Sequence, residues 1–193
     1  VQFQIAIERT VNELVVNHLI DNTACPFDNV ALFNAGSHVN DRTSGNPPSI
    51  TENQAMRLLL AQQTIPGDSL EAGLTFDFAL YGSTNINAAE LQYLPAYRVV
   101  PASQTDVNQF TGRVEPIYEP LLSAGDPIWY AGSRSPMVVG ILYSFLAGSG
   151  PGGRRVTYFD PATQCQSFDY YVEAGSALVN YQPYARNAGS GAS

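Results

Sequence analysis

Two short runs late in the chain, residues 156–160 and 168–172, are rich in β-branched and aromatic side chains and flank the polar cluster Pro161-Ala162-Thr163-Gln164. Runs of this kind around a turn cluster predict an antiparallel hairpin. The second run continues through Glu173-Ala174-Gly175-Ser176-Ala177-Leu178-Val179-Asn180-Tyr181 to Pro183-Tyr184-Ala185-Arg186, so the pattern predicts one long ribbon. A two-stranded ribbon is marginal alone in water and needs a helix or a neighbouring chain to cover it. Val156 and Tyr158 alternate along one strand and Phe168, Tyr170 and Val172 along the other, with aromatics on the opposite face as well. The tip is uncharged apart from Asp160, so packing rather than ion pairing is expected to carry any contact there. Arg154, Arg155, Phe159, Asp160, Gln164, Gln166 and Tyr171 are the candidate interface residues.

Upstream, Ile7, Val11, Leu14, Val15 and Ile20 recur at helical spacing, with Glu8, Arg9, Asn12 and Asn17 between them, and predict an amphipathic helix over 3–20. Residues 32–48 are rich in Asn, Gly, Ser and Pro and read as loop. Ser49-Ile50-Thr51-Glu52 matches a capping box, which predicts a helix to about Gln62 that buries Ala55, Met56, Leu59 and Leu60. From 64 to 93 the pattern is irregular around a strand at 74–80. Short strands are expected at 97–100, 128–131 and 138–146, with a turn capped by Ser103 and an extended segment over 114–122. Pro116 and Pro120 forbid a helix interior there. The layout is α+β, its terminal helix and hairpin packing together around a central subdomain.

Composition removes several function classes. Nine basic residues against seventeen acidic ones give a net charge of −8, so no basic field is present to neutralise nucleic-acid phosphates. All nine are Arg, and the absence of Lys excludes a GxxxxGK[ST] phosphate loop, a Schiff-base enzyme and a Ser-Lys hydrolase. The Gly-rich stretch 148–153 therefore reads as a connector, and no cofactor is expected. Only 13% of residues are charged, a composition suited to broad permanent contacts. Cys25 and Cys165 have neither metal-ligand nor redox-motif spacing and read as free thiols in a reducing compartment. No long apolar run and no signal peptide is present, so a soluble cytoplasmic product is expected. A chain that starts at Val1, at the head of an expected helix, suggests a processed or excised fragment.

Three constellations invite a chemical reading. Cys25, His38 and Asp41 can be cast as a thiol hydrolase, but Cys25 precedes a Pro in a loop with no nucleophile motif. A packed thiol and a loop His bonding its own turn are the plainer alternatives. Glu115 and Glu119 resemble an acid–base pair; in an extended segment their carboxylates stand roughly 13 Å apart, beyond glycosidase spacing. His18 and His38 lack a third ligand at metal spacing, so no metal site is expected. Arg154 and Arg155 are placed to pair with Asp160 or with a carboxylate of another subunit, or to stand as solvated loop charges.

The landmarks follow an order that resembles a known family. The first helix is followed by Leu32-Phe33 and His38-Val39-Asn40, then by a capped helix with Ala55-Met56-Arg57. Next come Leu94-Pro95-Ala96-Tyr97-Arg98-Val99-Val100-Pro101, Val114-Glu115-Pro116 and Trp129-Tyr130. The long hairpin, its Gly175-Ser176-Ala177 turn and residues 181–186 close the chain. In that order they resemble the C-terminal portion of tailed-bacteriophage major capsid proteins, especially Mu-like head subunits and the capsid halves of protease–capsid fusions. The resemblance implies a Hong Kong 97-like fold. Residues 1–21 would end its spine helix, 22–137 form the axial domain, and 138–193 supply peripheral-domain strands and a hairpin meeting neighbouring capsomers. The resemblance implies that an arm and an extended loop, which precede the spine helix in that family, are missing from this chain. Without Lys the chain cannot supply the amine of the Lys–Asn crosslink that some members form.

The resemblance implies a non-enzymatic virion subunit of a phage or prophage. Its partners would be copies of itself and other virion proteins, with no membrane and no specific nucleic-acid sequence. A cysteine- or carboxylate-dependent hydrolase and a non-catalytic accessory virion or scaffold protein are the competing readings.

Overall fold

The computed structural model describes residues 2–65, 68–94, 108–122, 125–146 and 153–190. Within them lie helices α1 (Gln2–Ile20), α2 (Ile50–Ala61) and α3 (Ile86–Tyr93). The strands are β1 (Asp41–Arg42), β2 (Phe78–Tyr81), β3 (Glu115–Tyr118), β4 (Trp129–Gly132), β5 (Ile141–Phe145), β6 (Arg154–Asp160), β7 (Cys165–Tyr171), β8 (Ala174–Leu178) and β9 (Tyr184–Asn187). The fold is mixed α+β. Among the described residues no helix is long and apolar enough to cross a membrane. The chain divides into two compact units, one built from residues up to Asp21 with those from Ile141 to Leu178, the other from Asn22 to Gly140 with those from Val179 on.

The second unit is organised by β4. Every residue of Trp129-Tyr130-Ala131-Gly132 is buried, as expected of a strand covered on both faces, and β4 is central in the sheet order β1-β9-β4-β2-β3. It runs antiparallel to β2, with Tyr81 opposite Trp129, and to β9, with Trp129 opposite Asn187. Phe78 stands opposite Gly132, where any β-carbon would collide with the Phe78 ring. Strands β1 and β3 add in parallel at the two edges. Pro116, which has no N–H to donate, is accommodated on edge strand β3.

Helix α2 starts where Ser49 leaves extended backbone and its hydroxyl accepts from the Glu52 amide at 3.2 Å. Only half of the expected box forms, because the Glu52 carboxylate turns inward to other partners. Asn53, Met56 and Leu60, at i, i+3 and i+7, face the interior. Met56 and Leu60 share a core with Phe76, Ala79, Tyr81, Tyr93, Phe110 and Trp129, where each large apolar side chain contributes about 1.5–3 kcal/mol. Ala55 and Leu59, also expected inside, are only half-buried. The stretch 64–93, expected to be irregular, contains α3, which buries Ala89 and Tyr93 one turn apart. The strand expected at 97–100, the turn capped by Ser103 and residues 148–152 of the Gly-rich stretch lie outside the described residues.

In the first unit, β6 and β7 form the hairpin in the expected place, in register from Arg154 opposite Tyr171 to Asp160 opposite Cys165. The single long ribbon is not observed. After Tyr171 the chain leaves the hairpin, and β8 pairs antiparallel with β5, from Ala174 opposite Phe145 to Leu178 opposite Ile141. Gly175-Ser176-Ala177, read as a turn, is therefore strand. Residues 184–187, read as the ribbon's end and assigned with 138–193 to the peripheral strands, are β9 of the five-stranded sheet and belong to the second unit. Helix α1 packs on β8: the Ser176 hydroxyl donates to Leu14 O at 2.7 Å and accepts from His18 Nε2 at 2.9 Å. Its buried positions are Val16 and Leu19, whereas Leu14 and Ile20, expected inside, are exposed.

Candidate functional site

The hairpin turn is built by Asp160. Its carboxylate accepts from Ala162 N at 2.9 Å and from the Thr163 hydroxyl at 2.7 Å, which holds its carboxyl below the usual range. Gln164 closes the turn in the left-handed region at φ 52. At the other end Gly153 has φ +69 and lies against Tyr171 O and Val172, a position suited to glycine.

Register decides which candidate interface residues share a face. Arg154, Asp160 and Tyr171 lie with Val156 and Tyr158 on one face, and Arg155, Phe159 and Gln166 with Phe168 and Tyr170 on the other. Gln164 is at the tip. The five alternating apolar residues are thus split between faces: Val156 and Tyr158 oppose Asp169 and Ser167, not Phe168 and Tyr170. Neither Arg pairs with Asp160. The Arg155 guanidinium stands 5.4 Å over the Phe168 ring, and Arg154 sits at the far end of the strand from the turn. Phe159 is 65% exposed, Tyr158 50%, Tyr171 49% and Phe168 45%, so both faces present large aromatic surface. Strands β6 and β7 pair only with each other among the described residues, which leaves two outer edges of backbone donors and acceptors. Beside α1, Ile7, Val11 and Leu14 with Tyr170 and Val172 line an open apolar groove of about 450 Å³.

In the second unit the acidic candidates have separate partners. Asp41 belongs to a bidentate pair with Arg186, at 2.9 and 2.6 Å, not to His38. Glu115 is exposed and accepts from Arg134, whereas Glu119 is buried and accepts from Leu121 N at 2.9 Å, so the two carboxylates do not form an acid–base pair. Glu52, unremarked beyond its capping role, is 3% exposed and receives Arg42 at 2.6 and 3.1 Å, Asn187 at 2.9 Å and Asn46 at 3.2 Å. Burial alone would raise its carboxyl; those hydrogen bonds and the Arg42 charge outweigh it and bring the pKa down to about 2.

Cys25 and His38 do meet, with Asp28 as the acid. Cys25 N donates to Val30 O at 2.7 Å and Asn29 N to Cys25 O at 2.9 Å, a tight loop that sets Cys25 and Asp28 three residues apart on one side. His38 enters across it, its Nδ1 3.1 Å from Leu32 O and its Nε2 2.7 Å from Asp28 Oδ2. Asn40 Nδ2 donates to the same Leu32 carbonyl at 2.9 Å, so the His-x-Asn segment is tied to the Leu-Phe segment by one acceptor. Val39 between them has φ 53, unusual for a β-branched residue. The Tyr181 ring stacks on the imidazole at 3.7 Å and 4°. Burial, reinforced by the Asp28 carboxylate, pushes the Cys25 thiol up to about 11. Both imidazole nitrogens are engaged, by Leu32 and Asp28, and the ring does not bridge Cys25 to an acid as a nucleophilic triad requires. The C-x2-D spacing was the one available signal for Asp28. Cys165, by contrast, is an exposed free thiol beside the hairpin turn.

No protein-family model matches the chain, and no curated protein matches it. Among solved structures, it is similar to a phage-related protein from Bordetella bronchiseptica RB50, at 13% identity and a TM-score of 0.49 over 84% of this chain. This chain spans 58% of the length of that one.

Proposed function

We propose that this chain is a structural subunit of a tailed-phage or prophage capsid of the Hong Kong 97-like type, a virion protein that acts by self-association and performs no chemistry. In this reading α1 with β5 to β8 is the peripheral domain and the unit around the five-stranded sheet is the axial domain. The observation that carries it is the β6–β7 ribbon: a hairpin with aromatic side chains exposed on both faces and two open edges needs a partner surface. The order of sequence landmarks supports the same reading. A hydrolase draws little support, since Cys25 is buried with a raised pKa, its neighbour His38 is turned to Asp28 and Leu32, and Glu115 and Glu119 have different partners. Sedimentation velocity over a concentration series tests the proposal. The wild-type chain is expected to associate, and a Phe159→Ser, Tyr171→Ser variant, which alters one side chain on each ribbon face, is expected to remain monomeric with an unchanged circular dichroism spectrum. Equal association of the two proteins would make the ribbon an ordinary internal hairpin.

A further inference from the structure

The Cys25, Asp28 and His38 cluster lies outside the proposed assembly surface and has the donor set of a metal centre. Their thiol, carboxylate and imidazole atoms all lie within 4.8 Å of one another. Leu32 O can only accept, so His38 Nδ1 donates to it, and Nε2 faces Asp28 Oδ2 at 2.7 Å. A proton on the imidazole makes this contact an ion pair, and a metal ion held by both groups would take that proton's place. The other Asp28 oxygen accepts from Val30 N at 3.0 Å. Carboxylate and imidazole are therefore each oriented by a backbone group behind them, the support that metal ligands generally have. Cys25 is fully buried, and Tyr181 holds the imidazole plane.

We propose that this cluster binds a zinc ion through Cys25 Sγ, His38 Nε2 and Asp28 Oδ2, with the fourth position open on the Asp28 side. A thiolate with an imidazole selects zinc over magnesium or calcium, which prefer oxygen ligands throughout. Tetrahedral zinc sets such donors roughly 3.3–3.6 Å apart, so the nitrogen and oxygen must separate by under an ångström. Asp28 is the exposed member and can swing to do so. Binding releases the Cys25 thiol proton, and any proton held between His38 and Asp28 leaves with it. The spacing C-x2-D-x9-H is not a familiar zinc signature, which is why the sequence pointed to no metal.

Titration of the full chain with Co2+, a spectroscopic substitute for Zn2+, tests the assignment. The expected result is one-to-one binding with a thiolate-to-cobalt charge-transfer band that Zn2+ abolishes. The band should persist in Cys165→Ser, vanish in Cys25→Ser, and require at least ~10-fold more Co2+ in Asp28→Asn, which keeps an oxygen to accept from Val30 N. Absence of the band in the wild-type chain, or its loss in Cys165→Ser and retention in Cys25→Ser, would overturn the proposal. Should Cys25→Ser fail to fold, an Asp28→Asn protein with native circular dichroism and unchanged Co2+ affinity would overturn it equally.

Discussion

Glu52 carries the clearest consequence at the scale of single residues. Its folded pKa of about 2 lies below the ordinary carboxylate value, so the stability it contributes is fully present above about pH 4.5 and is lost as the pH falls toward 2. Linkage puts the whole contribution at about 3 kcal/mol, of which about 2 kcal/mol is gone by pH 3. Glu52→Gln should cost about 2–4 kcal/mol at pH 7, because Arg42 loses its counter-charge and one of the two acceptor oxygens becomes a donor facing Arg42 and its neighbours, and should flatten this acid limb. Urea titrations of both proteins at pH 7 and pH 3 measure it; a wild-type acid loss equal to that of Glu52→Gln would assign the acid sensitivity elsewhere. Glu52 was legible only as a capping residue. Its partner Asn187 is 135 residues away, and local pattern carries no trace of such a pairing. Asp28 was missed for a related reason: Asp41 is nearer to His38 in sequence, but a guanidinium from the far end of the chain claims it.

At the scale of elements, periodicity and capping chemistry located α1 and α2 because each spans several turns of apolar repeat. Ser49→Ala should cost about 1 kcal/mol by leaving the Glu52 amide without its acceptor, measurable by thermal or urea unfolding. A cost near zero would mean that the Ser49 hydroxyl contributes nothing to the helix start. The eight residues of α3 are too few to establish a helical repeat behind a Gly-Ser-Thr-Asn entry. Strand β8 was unreadable for a different reason. Ala174, Gly175, Ser176 and Ala177 have little intrinsic strand preference, and only pairing to β5 and the seat of α1 on Ser176 make them a strand. The hairpin was legible from composition, yet which residues share a face depends on register, which the turn sets.

At the scale of the whole molecule, the sequence was informative about the mixed α+β class. Sparse charge, no Lys and an aromatic hairpin argued against phosphate and Schiff-base chemistry and for a protein that works by contact. It was least informative about long-range partition, since residues 184–187 follow the hairpin in sequence yet complete a sheet with β1 and β4. Amide hydrogen exchange across a concentration series addresses the central claim, that copies of this chain meet through the β6–β7 ribbon. The account expects amides within 154–171, above all those on the outer edges of the two strands, to become protected as concentration rises, while those of β2 and β4 keep constant protection. Rapid exchange of the ribbon at every concentration, with association absent or protecting other segments, would contradict it.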